Sequence, residues 1–182
     1  MYVILLPFPT QHAHLREKAL AIKLVLTDCD GVLTDTGVYF GPEGEALKRF
    51  SIRDGMGVER LRKLAGLETG IVTGEDTQTV IQRARKLQIE ELHLAAKDKP
   101  AVLEGILKKR GIQAEEVAYI GDDSNDVNVM KLCGLTAAPA DALPFAQEAA
   151  HYVCSAPGGY GAFRQFAELI LSLRLASPPN GK

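Results

Sequence analysis

The sequence lacks the features of a membrane-spanning or nucleic-acid-binding protein. It has no tryptophan, only 6% aromatic residues and a net charge of -2 at pH 7. A charge this small gives no general attraction to nucleic acid or to anionic lipid. The apolar stretch from Met1 to Phe8 contains no basic residue, is broken by Pro7 and Pro9, and is far shorter than a bilayer-spanning helix. We therefore expect neither a nucleic-acid partner nor a membrane partner.

Cysteine is also scarce. The three cysteines, Cys29, Cys133 and Cys154, are an odd number without metal-binding spacing, which indicates reduced thiols in a cytoplasmic protein. A chain of 182 residues fits one globular domain. We expect this domain to span 21–176, after a short extension packed on its surface at 1–20. The tail at 177–182 is rich in proline and glycine and is expected to be disordered.

Short apolar runs alternate with helical patterns over most of the chain. The first strand is predicted at 23–28, and a β-hairpin with strands at 37–40 and 46–51 follows it. Repeated β-α units imply a parallel sheet with helices on both faces. The expected fold is therefore α/β, a Rossmann-like doubly wound parallel sheet with a hairpin insertion after the first strand. Further strands are predicted at 67–73, 91–95, 117–121, 135–138 and 151–154, and helices at 57–65, 76–87, 100–110, 125–132, 143–149 and 161–174.

Two carboxylates stand at the end of the first predicted strand. Asp28 and Asp30 are separated by one residue and followed by Gly31, and ligands of open α/β sheets bind at the carboxyl ends of the strands. One carboxylate could attack a phosphate as a nucleophile, and the other could handle the proton of the leaving group. Alternatively, Asp28 only caps the strand, and Asp30 with Gly31 forms an ordinary turn.

A second acidic cluster follows the strand predicted at 117–121. Mg²⁺ binds oxygen ligands, often one or two carboxylates together with substrate phosphate. Asp28 and Asp122, at the ends of two neighbouring strands, could supply them. N-capping of the next helix is the competing explanation, but it accounts for only one such residue. The cluster consists of Asp122, Asp123, Asn125 and Asp126.

Two weaker motifs could bind phosphate. Thr73 and Gly74 end another apolar run, and a hydroxyl with backbone N–H groups at a helix N-terminus suits a phosphate oxygen. Lys99, at the start of a predicted helix, could neutralise charge on a transferring phosphoryl group. Taken singly, both have ordinary explanations, because threonine ends many strands and lysine is usually a solvated surface charge.

In this order, the motifs resemble those of the haloacid dehalogenase superfamily of phosphatases, over about 23–173. The resemblance implies Asp28 as nucleophile and Asp30 as general acid and base, with Asp28, Asp30 and Asp122 around Mg²⁺. An aspartate at position 30 is typical of phosphatases and phosphomutases within the superfamily. The implied phosphate ligands are Thr73, Gly74 and Lys99, and the implied supporting residues are Asp123, Asn125 and Asp126.

Four further segments resemble the small, capless branch of this superfamily. They are 31–35, 44–45, 53–57 and 158–164. Enzymes of this branch remove phosphate from eight- and nine-carbon 3-deoxy-2-keto sugar acids in lipopolysaccharide and sialic acid biosynthesis. The resemblance therefore implies a small phosphorylated sugar acid as substrate. It also implies a role in substrate specificity for Thr34, Asp35, Gly158, Gly159 and Arg164.

The chain has no room for a separate cap domain. Only a hairpin and one helix fit between Asp30 and Thr73, and only one helix and one strand fit between Thr73 and Lys99. An uncapped site is open to water, so either the substrate is large or neighbouring subunits act as the lid. The resemblance favours the second answer, a homotetramer with the hairpin 36–51 in its interface.

One position departs from the pattern of the eight-carbon enzymes. Their second motif is usually followed by Gly-Arg, whereas Gly74 is followed here by Glu75. Glu75 together with Lys86 resembles the nine-carbon branch, which acts on 2-keto-3-deoxynononate or N-acylneuraminate 9-phosphates. On one helix these positions would lie about 16 Å apart, so both can contact one substrate only if Lys86 comes from a neighbouring subunit. Alternatively, Glu75 only favours a helix N-terminus, and Lys86 is a solvated charge.

Two other functions remain open. The same module also occurs without full catalytic equipment, fused to some cytidylyltransferases, where it would serve oligomerisation. An open site would also admit a phosphoprotein. The complete acidic set and Lys99 favour an enzyme, because a structural module has no need for so many like charges in one place. We therefore predict a Mg²⁺-dependent sugar-acid phosphatase that works through an aspartyl-phosphate.

Overall fold

The structure is a computed structural model that describes residues 4–178. The expectation of a disordered tail falls mostly on 179–182, which lie outside the described residues, as do 1–3. Within 4–178 no helix combines the length and the hydropathy needed to cross a membrane.

The strands are β1 (Leu24–Thr27), β2 (Thr34–Gly41), β3 (Gly44–Phe50), β4 (Glu68–Val72), β5 (Glu91–His93), β6 (Val117–Ile120), β7 (Leu135–Ala138) and β8 (Tyr152–Val153). The α-helices are α1 (Arg16–Ala21), α2 (Ile52–Ala65), α3 (Gln78–Leu87), α4 (Lys99–Arg110), α5 (Ser124–Met130), α6 (Pro144–Ala149) and α7 (Ala162–Leu175), and 3₁₀ turns span Thr10–Leu15 and Ala114–Glu116.

Six strands form one parallel sheet in the order β5-β4-β1-β6-β7-β8. β1 is central, with Leu24 opposite Glu68 of β4 on one side and opposite Val117 of β6 on the other. The chain builds outward from β1 through β4 and β5, then returns to β6 and builds in the other direction. The crevice at the carboxyl ends of β1 and β6 is therefore the topological switch point, where open α/β sheets bind ligands.

Side chains of the central strands alternate between two hydrophobic layers. Val25 and Ile71 pack with α1, α2, α3 and α7 on one face of the sheet, whereas Leu26 and Tyr119 pack with α4 and α5 on the other. Because these strands are buried on both faces, they have continuous apolar sequences. The predicted doubly wound α/β fold is confirmed.

The residues before β1 take part in the core. Leu15 and Ala19 are 2% and 0% exposed and pack with α7. The segment expected as a surface extension thus contributes apolar contacts, and the expected boundary at residue 20 falls inside α1. α1 has only six residues, so its sequence is too short to show the helical repeat of apolar residues.

α2 begins five residues earlier than its sequence pattern indicates, at Ile52 instead of Gly57. The side chain of Ser51 caps this end by accepting a hydrogen bond of 3.3 Å from the backbone N–H of Asp54. Gly55 and Gly57 lie within the helix, and the low helix propensity of glycine hides its first turns in the sequence.

The hairpin of β2 and β3 is a separate antiparallel ribbon and not part of the main sheet. Tyr39 and Leu47 face each other across it and are 67% and 63% exposed, while Phe40 is 76% exposed. The predicted hairpin insertion is confirmed, and residues 4–178 of one chain leave its apolar side chains exposed.

The loop between β8 and α7 supports the loop that follows β1. A Cβ atom on Gly158 would lie 1.9 Å from the carbonyl oxygen of Gly31. Gly159 has a φ of 67° and donates its N–H to the carbonyl of Val32 at 2.9 Å. Only glycine permits this close approach of two backbones.

Replacing Gly158 with alanine is expected to destabilise the protein by about 1–3 kcal/mol, because the added methyl group overlaps the Gly31 carbonyl. Gly105 is a matched control, since it is exposed on α4 and nothing lies within 4 Å of a Cβ atom added there. Gly105→Ala should stabilise the protein by about 0.5–1 kcal/mol through helix propensity. Urea unfolding measures both values. An unchanged free energy of unfolding for Gly158→Ala would contradict the close packing of the two loops.

Candidate active site

A buried lysine lies between two carboxylates at the switch point. Asp28 directly follows β1, and its N–H donates to the carbonyl of Ile120 at 3.0 Å. The fully buried Nζ of Lys99, at the start of α4, lies 3.0 Å from Oδ1 of Asp28 and 2.7 Å from Oδ1 of Asp126. Oδ1 of Asp28 also accepts the N–H of Cys29 at 2.7 Å. Lys99 thus fixes the orientation of Asp28.

Asp126 has no free acceptor for a further ligand. Its Oδ1 accepts hydrogen bonds from Lys99 and from the Tyr119 hydroxyl, both at 2.7 Å. Its Oδ2 accepts the backbone N–H groups of Asp122 at 3.1 Å and Asp123 at 3.3 Å. Asp123 in turn caps the N-terminus of α5. Asp126 therefore anchors the lysine and the loop after β6.

Asp28, Asp122 and Asp126 each place an oxygen within 4.8 Å of the others. Since Asp126 is fully engaged, Asp28 and Asp122 remain as ligands for a cation. Oδ1 of Asp122 is buried and has no hydrogen-bond partner among the described residues, as expected for an atom that binds a metal ion. Gly31 has a φ of 84°, and a Cβ atom there would lie 1.9 Å from Oδ2 of Asp122. Glycine thus lets the loop after β1 close around the carboxylates, which fit the Mg²⁺ site predicted from the sequence.

The crowding of carboxylates changes their acidity. Burial, and next the charge of Asp126, raise the pKa of Asp28 well above its ordinary value, although Lys99 opposes the change. Burial, then Asp126 and Asp123, raise the pKa of Asp122 to about 7. Burial alone would lower the pKa of Lys99, but Asp28 and Asp126 outweigh it and raise that pKa, so Lys99 stays charged. A divalent cation would relieve the repulsion between the carboxylates.

Asp30 lies outside this cluster and has different partners. Its Oδ1 accepts the hydroxyl of Thr34 at 3.0 Å, and its Oδ2 accepts Nζ of Lys48 at 2.8 Å. Its carboxylate, predicted as a third metal ligand, is therefore engaged by protein donors. Lys48 also contacts Glu45 at 3.2 Å. Burial alone would lower the pKa of Lys48, but Asp30 and Glu45 raise it, which keeps Lys48 charged.

These groups open into one cleft of about 350 Å³. The segments after β1, β4 and β6 line it, and the buried hydroxyl of Thr73 accepts the N–H of Glu75 at 3.2 Å. The hairpin forms the remaining wall. The lining residues predicted from the sequence are Asp28, Asp30, Thr73, Gly74, Glu75, Asp122, Asp123 and Asn125, and the hairpin adds Thr36, Val38, Phe40, Glu45 and Lys48.

The other expected specificity residues do not line this cleft within one chain. Thr34 is buried and donates its hydroxyl to Asp30, and Asp35 binds Arg49 at 2.8 Å. Arg164 pairs with Glu168 at 2.7 Å on α7, and Lys86 is exposed near the end of α3. Gly158 and Gly159 support the loop after β1 from behind.

Sequence reasoning missed Lys48 and Glu45. Charged residues on an exposed hairpin are usually solvated, yet the side chain of Lys48 is only 1% exposed. A signal was present, because Glu45 lies within the segment 44–45 that carried the resemblance. Without the pairing of β2 and β3, however, nothing in the sequence indicates which hairpin charges point towards Asp30.

A second cleft, of about 410 Å³, lies at the opposite edge of the sheet, beside the first residues of β4 and β5. Two of its carboxylates, Glu68 and Glu91, are bound by Arg110, each at 2.7 Å. It contains no counterpart of the cluster around Lys99, so we place the candidate active site at the switch point.

Comparison with known proteins gives the same picture. A family model for haloacid dehalogenase-like hydrolases matches residues 43–134. The chain is 38% identical to a 3-deoxy-D-manno-octulosonate 8-phosphate phosphatase from Haemophilus influenzae. The match extends over 157 residues and covers 86% of this chain and 87% of that protein.

Two crystal structures of proteins with that same name are similar as well. The one from Yersinia pestis has a TM-score of 0.84 and 39% identity, and the match covers 88% of this chain and 86% of that chain. The one from Moraxella catarrhalis has a TM-score of 0.84 and 33% identity, with 88% and 91% covered. The latter is a complex with a magnesium ion, a phosphate ion and a KDO molecule.

Mg²⁺ is expected to stabilise this protein more at about pH 8 than at about pH 6, because the metal must displace protons from its ligands. The pKa values of Asp28 and Asp122 are raised on folding, so in the absence of metal their contribution to the free energy of unfolding falls as the pH rises from about 4. For Asp122 this fall continues to about pH 7. Thermal unfolding with EDTA and with excess Mg²⁺ at both pH values measures the difference.

Asp122→Asn is the control for this prediction, because it removes both the proton and the charged ligand. It should reduce the Mg²⁺-induced rise in Tm at both pH values. A wild-type rise in Tm that is the same at the two pH values would contradict the assignment of Asp122 as a metal ligand.

Proposed function

The chain belongs to the haloacid dehalogenase-like hydrolases, and on that basis we propose that it removes phosphate from a 3-deoxy-2-keto sugar acid through an aspartyl-phosphate on Asp28. Its assignment to the phosphoric monoester hydrolases is confirmed by the relatives that it matches over most of its length. The observation that carries the proposal is the convergence of Asp28, Asp30, Thr73 and Asp122 on one cleft, with Lys99 in contact with Asp28.

The chemistry takes two steps. In the first, an oxygen of Asp28 forms a bond to phosphorus, the bond from phosphorus to the sugar oxygen breaks, and Asp30 gives that oxygen a proton. Lys99 and Thr73 stabilise the charged phosphoryl oxygens. In the second, a water attacks phosphorus and gives a proton to Asp30, and the bond between Asp28 and phosphorus breaks to release phosphate.

Asp28 and Asp122 would hold Mg²⁺, as the unpartnered oxygen of Asp122 supports. The bound ion would supply positive charge that neutralises the phosphate and brings it close to a carboxylate nucleophile. The protein contributes the fixed geometry, because Lys99 and Asp126 hold Asp28 in place before any ligand arrives.

The two alternative functions have less support. A non-catalytic oligomerisation module would not need Lys99 fully buried between two carboxylates. A phosphoprotein would fit an open cleft, but the relatives that cover most of the chain are named as phosphatases of a sugar acid. A small phosphorylated sugar acid is therefore the substrate class that we propose.

The charges of the cleft support a site shared between subunits. Among the described residues that line it, Lys48 is the only cation, and it is already bound to Asp30 and Glu45. A sugar-acid substrate brings a carboxylate in addition to its phosphate, and that carboxylate needs a positive partner. We propose that Lys86 of the partner subunit provides it, since Lys86 is exposed and lies outside the cleft of its own chain.

The hairpin is the proposed interface of a homotetramer. Tyr39, Phe40 and Leu47 expose a large part of their side chains. Burying these apolar groups between subunits would be favourable and would place neighbouring chains over the open cleft, where a cap domain would otherwise stand.

Glu75 supports a nine-carbon substrate. It lines the cleft beside Gly74 and can only accept hydrogen bonds when ionised. A longer polyhydroxylated chain offers more hydroxyl donors to this carboxylate, whereas an arginine at this position would donate instead. The names of the relatives favour the eight-carbon phosphate, so the comparison of the two substrates is decisive.

The wild-type enzyme is expected to show a higher kcat/KM for a nine-carbon keto-acid 9-phosphate than for 3-deoxy-manno-octulosonate 8-phosphate. Glu75→Arg should shift the preference towards the eight-carbon substrate, because it replaces an acceptor with donors. A phosphate-release assay with Mg²⁺ and with EDTA measures both values, and Asp28→Asn gives the background without a nucleophile.

A strong wild-type preference for the eight-carbon phosphate, unchanged in Glu75→Arg, would refute the role of Glu75. It would leave the proposed phosphatase intact. Failure to hydrolyse any sugar-acid phosphate would refute the proposed function itself.

The tetramer is expected to depend on the apolar face of the hairpin. Light scattering should give the mass of four chains for the wild type, and the double variant Tyr39→Ser, Leu47→Ser should dissociate and lose activity on the sugar-acid phosphate. Leu132→Ser is the matched control, since Leu132 is 49% exposed and lies away from the hairpin. A fully active wild-type sample with the mass of one chain would rule out the shared site.

A further inference from the structure

Lys48 is the centre of a charged network that links the hairpin to Asp30. Its side chain is 1% exposed, and Nζ lies 2.8 Å from Oδ2 of Asp30 and 3.2 Å from Oε2 of Glu45. Oε1 of Glu45 accepts a hydrogen bond from the hydroxyl of Thr79 on α3. Asp30, after β1, and Glu45, on β3, therefore hold the ammonium group, and α3 in turn contacts Glu45.

The two oxygens of Asp30 have partners of different kinds. Oδ2 faces Lys48, whose ammonium group can only donate hydrogen bonds. Oδ1 lies 3.0 Å from the hydroxyl of Thr34, which can donate or accept. A proton on Oδ2 would point at a donor, whereas a proton on Oδ1 can be accommodated by rotation of the hydroxyl. The surroundings thus distinguish the two positions for a proton on Asp30.

We propose that Lys48 is a positioning residue for proton transfer, which holds Oδ2 of Asp30 and directs the transferable proton to Oδ1. This proposal rests on the proposed function, in which Asp30 is the general acid and base. The proton moves from Oδ1 to the sugar oxygen as the phosphorus–oxygen bond breaks. In the second step the same oxygen accepts a proton from the attacking water, so each turnover restores the starting state.

The network depends on the positive charge of Lys48 between Asp30 and Glu45. Removing Lys48 would leave the carboxylates of Asp30 and Glu45 close together without a cation between them. Oδ2 of Asp30 would then lose its donor, and the carboxyl group of Asp30 would be free to rotate. The variant would therefore lose activity in the step that needs a correctly oriented acid. Its binding of phosphate would be unaffected, because other residues bind the phosphate.

The test compares two leaving groups in Lys48→Met. p-Nitrophenolate leaves without needing a proton, whereas a sugar alkoxide needs one. Since kcat/KM covers only the steps through formation of the aspartyl-phosphate, we expect it to fall about 10- to 100-fold with the sugar-acid phosphate, but less than about 3-fold with p-nitrophenyl phosphate. Asp30→Asn should also reduce kcat/KM more with the sugar-acid phosphate than with p-nitrophenyl phosphate, and the difference should be larger than in Lys48→Met.

Lys48→Arg should restore most of the activity on the sugar-acid phosphate, because it keeps a charged donor at this place. Lys63→Met is the matched control, since Lys63 makes an exposed ion pair with Glu59 on α2, and it should change neither value. If Lys48→Met does not fold, Glu45→Gln provides the test, with a smaller loss that again affects only the sugar-acid phosphate.

Equal losses with both substrates, or no loss with either, would overturn the role of Lys48. A wild-type enzyme that hydrolyses p-nitrophenyl phosphate but no sugar-acid phosphate would instead refute the proposed function. The comparison for Lys48 would then use any alkyl phosphate that the enzyme accepts.

Discussion

The candidate active site depends on one buried ammonium group between two carboxylates. Lys99 and Asp126 are both fully buried, and Lys99 also holds Asp28. Removing one partner of such a buried pair costs about 3–5 kcal/mol, because the remaining charge is left without compensation. Tyr119 and the backbone N–H groups that bind Asp126 complete the arrangement. Asp28, the proposed nucleophile, is therefore oriented by the same interactions that stabilise the centre of the fold.

The sheet topology brings these groups together. Because β1 and β6 are neighbours although distant in sequence, the carboxylates that follow them lie at one edge. Two close approaches of the backbone complete the site, since Gly31 lies against Asp122 and Gly158 lies against Gly31. The second contact gives Gly158 and Gly159 a structural role, because they shape the loop that carries Asp30.

The sequence predicts most of the fold, because the central strands β1, β4 and β6 are largely apolar and a polar residue follows each of them closely. The polar residues Asp28, Thr73 and Asp122 follow from that pattern and from the family resemblance. Lys48 could not be predicted in the same way, since only the pairing of the hairpin strands turns its side chain towards Asp30. α1 was missed because it is short, and the start of α2 because glycines interrupt its helical pattern.

In the proposed mechanism, Asp28 carries the phosphoryl group between the two steps. Rapid quenching of the enzyme with a sugar-acid phosphate, followed by reduction with borohydride, converts an aspartyl-phosphate into homoserine, which peptide mass spectrometry can locate. Homoserine is expected at position 28, only with substrate and Mg²⁺ present, and none is expected in Asp28→Asn. Homoserine at position 30 or 122, or none at position 28 in an enzyme that turns over under the same conditions, would contradict this mechanism.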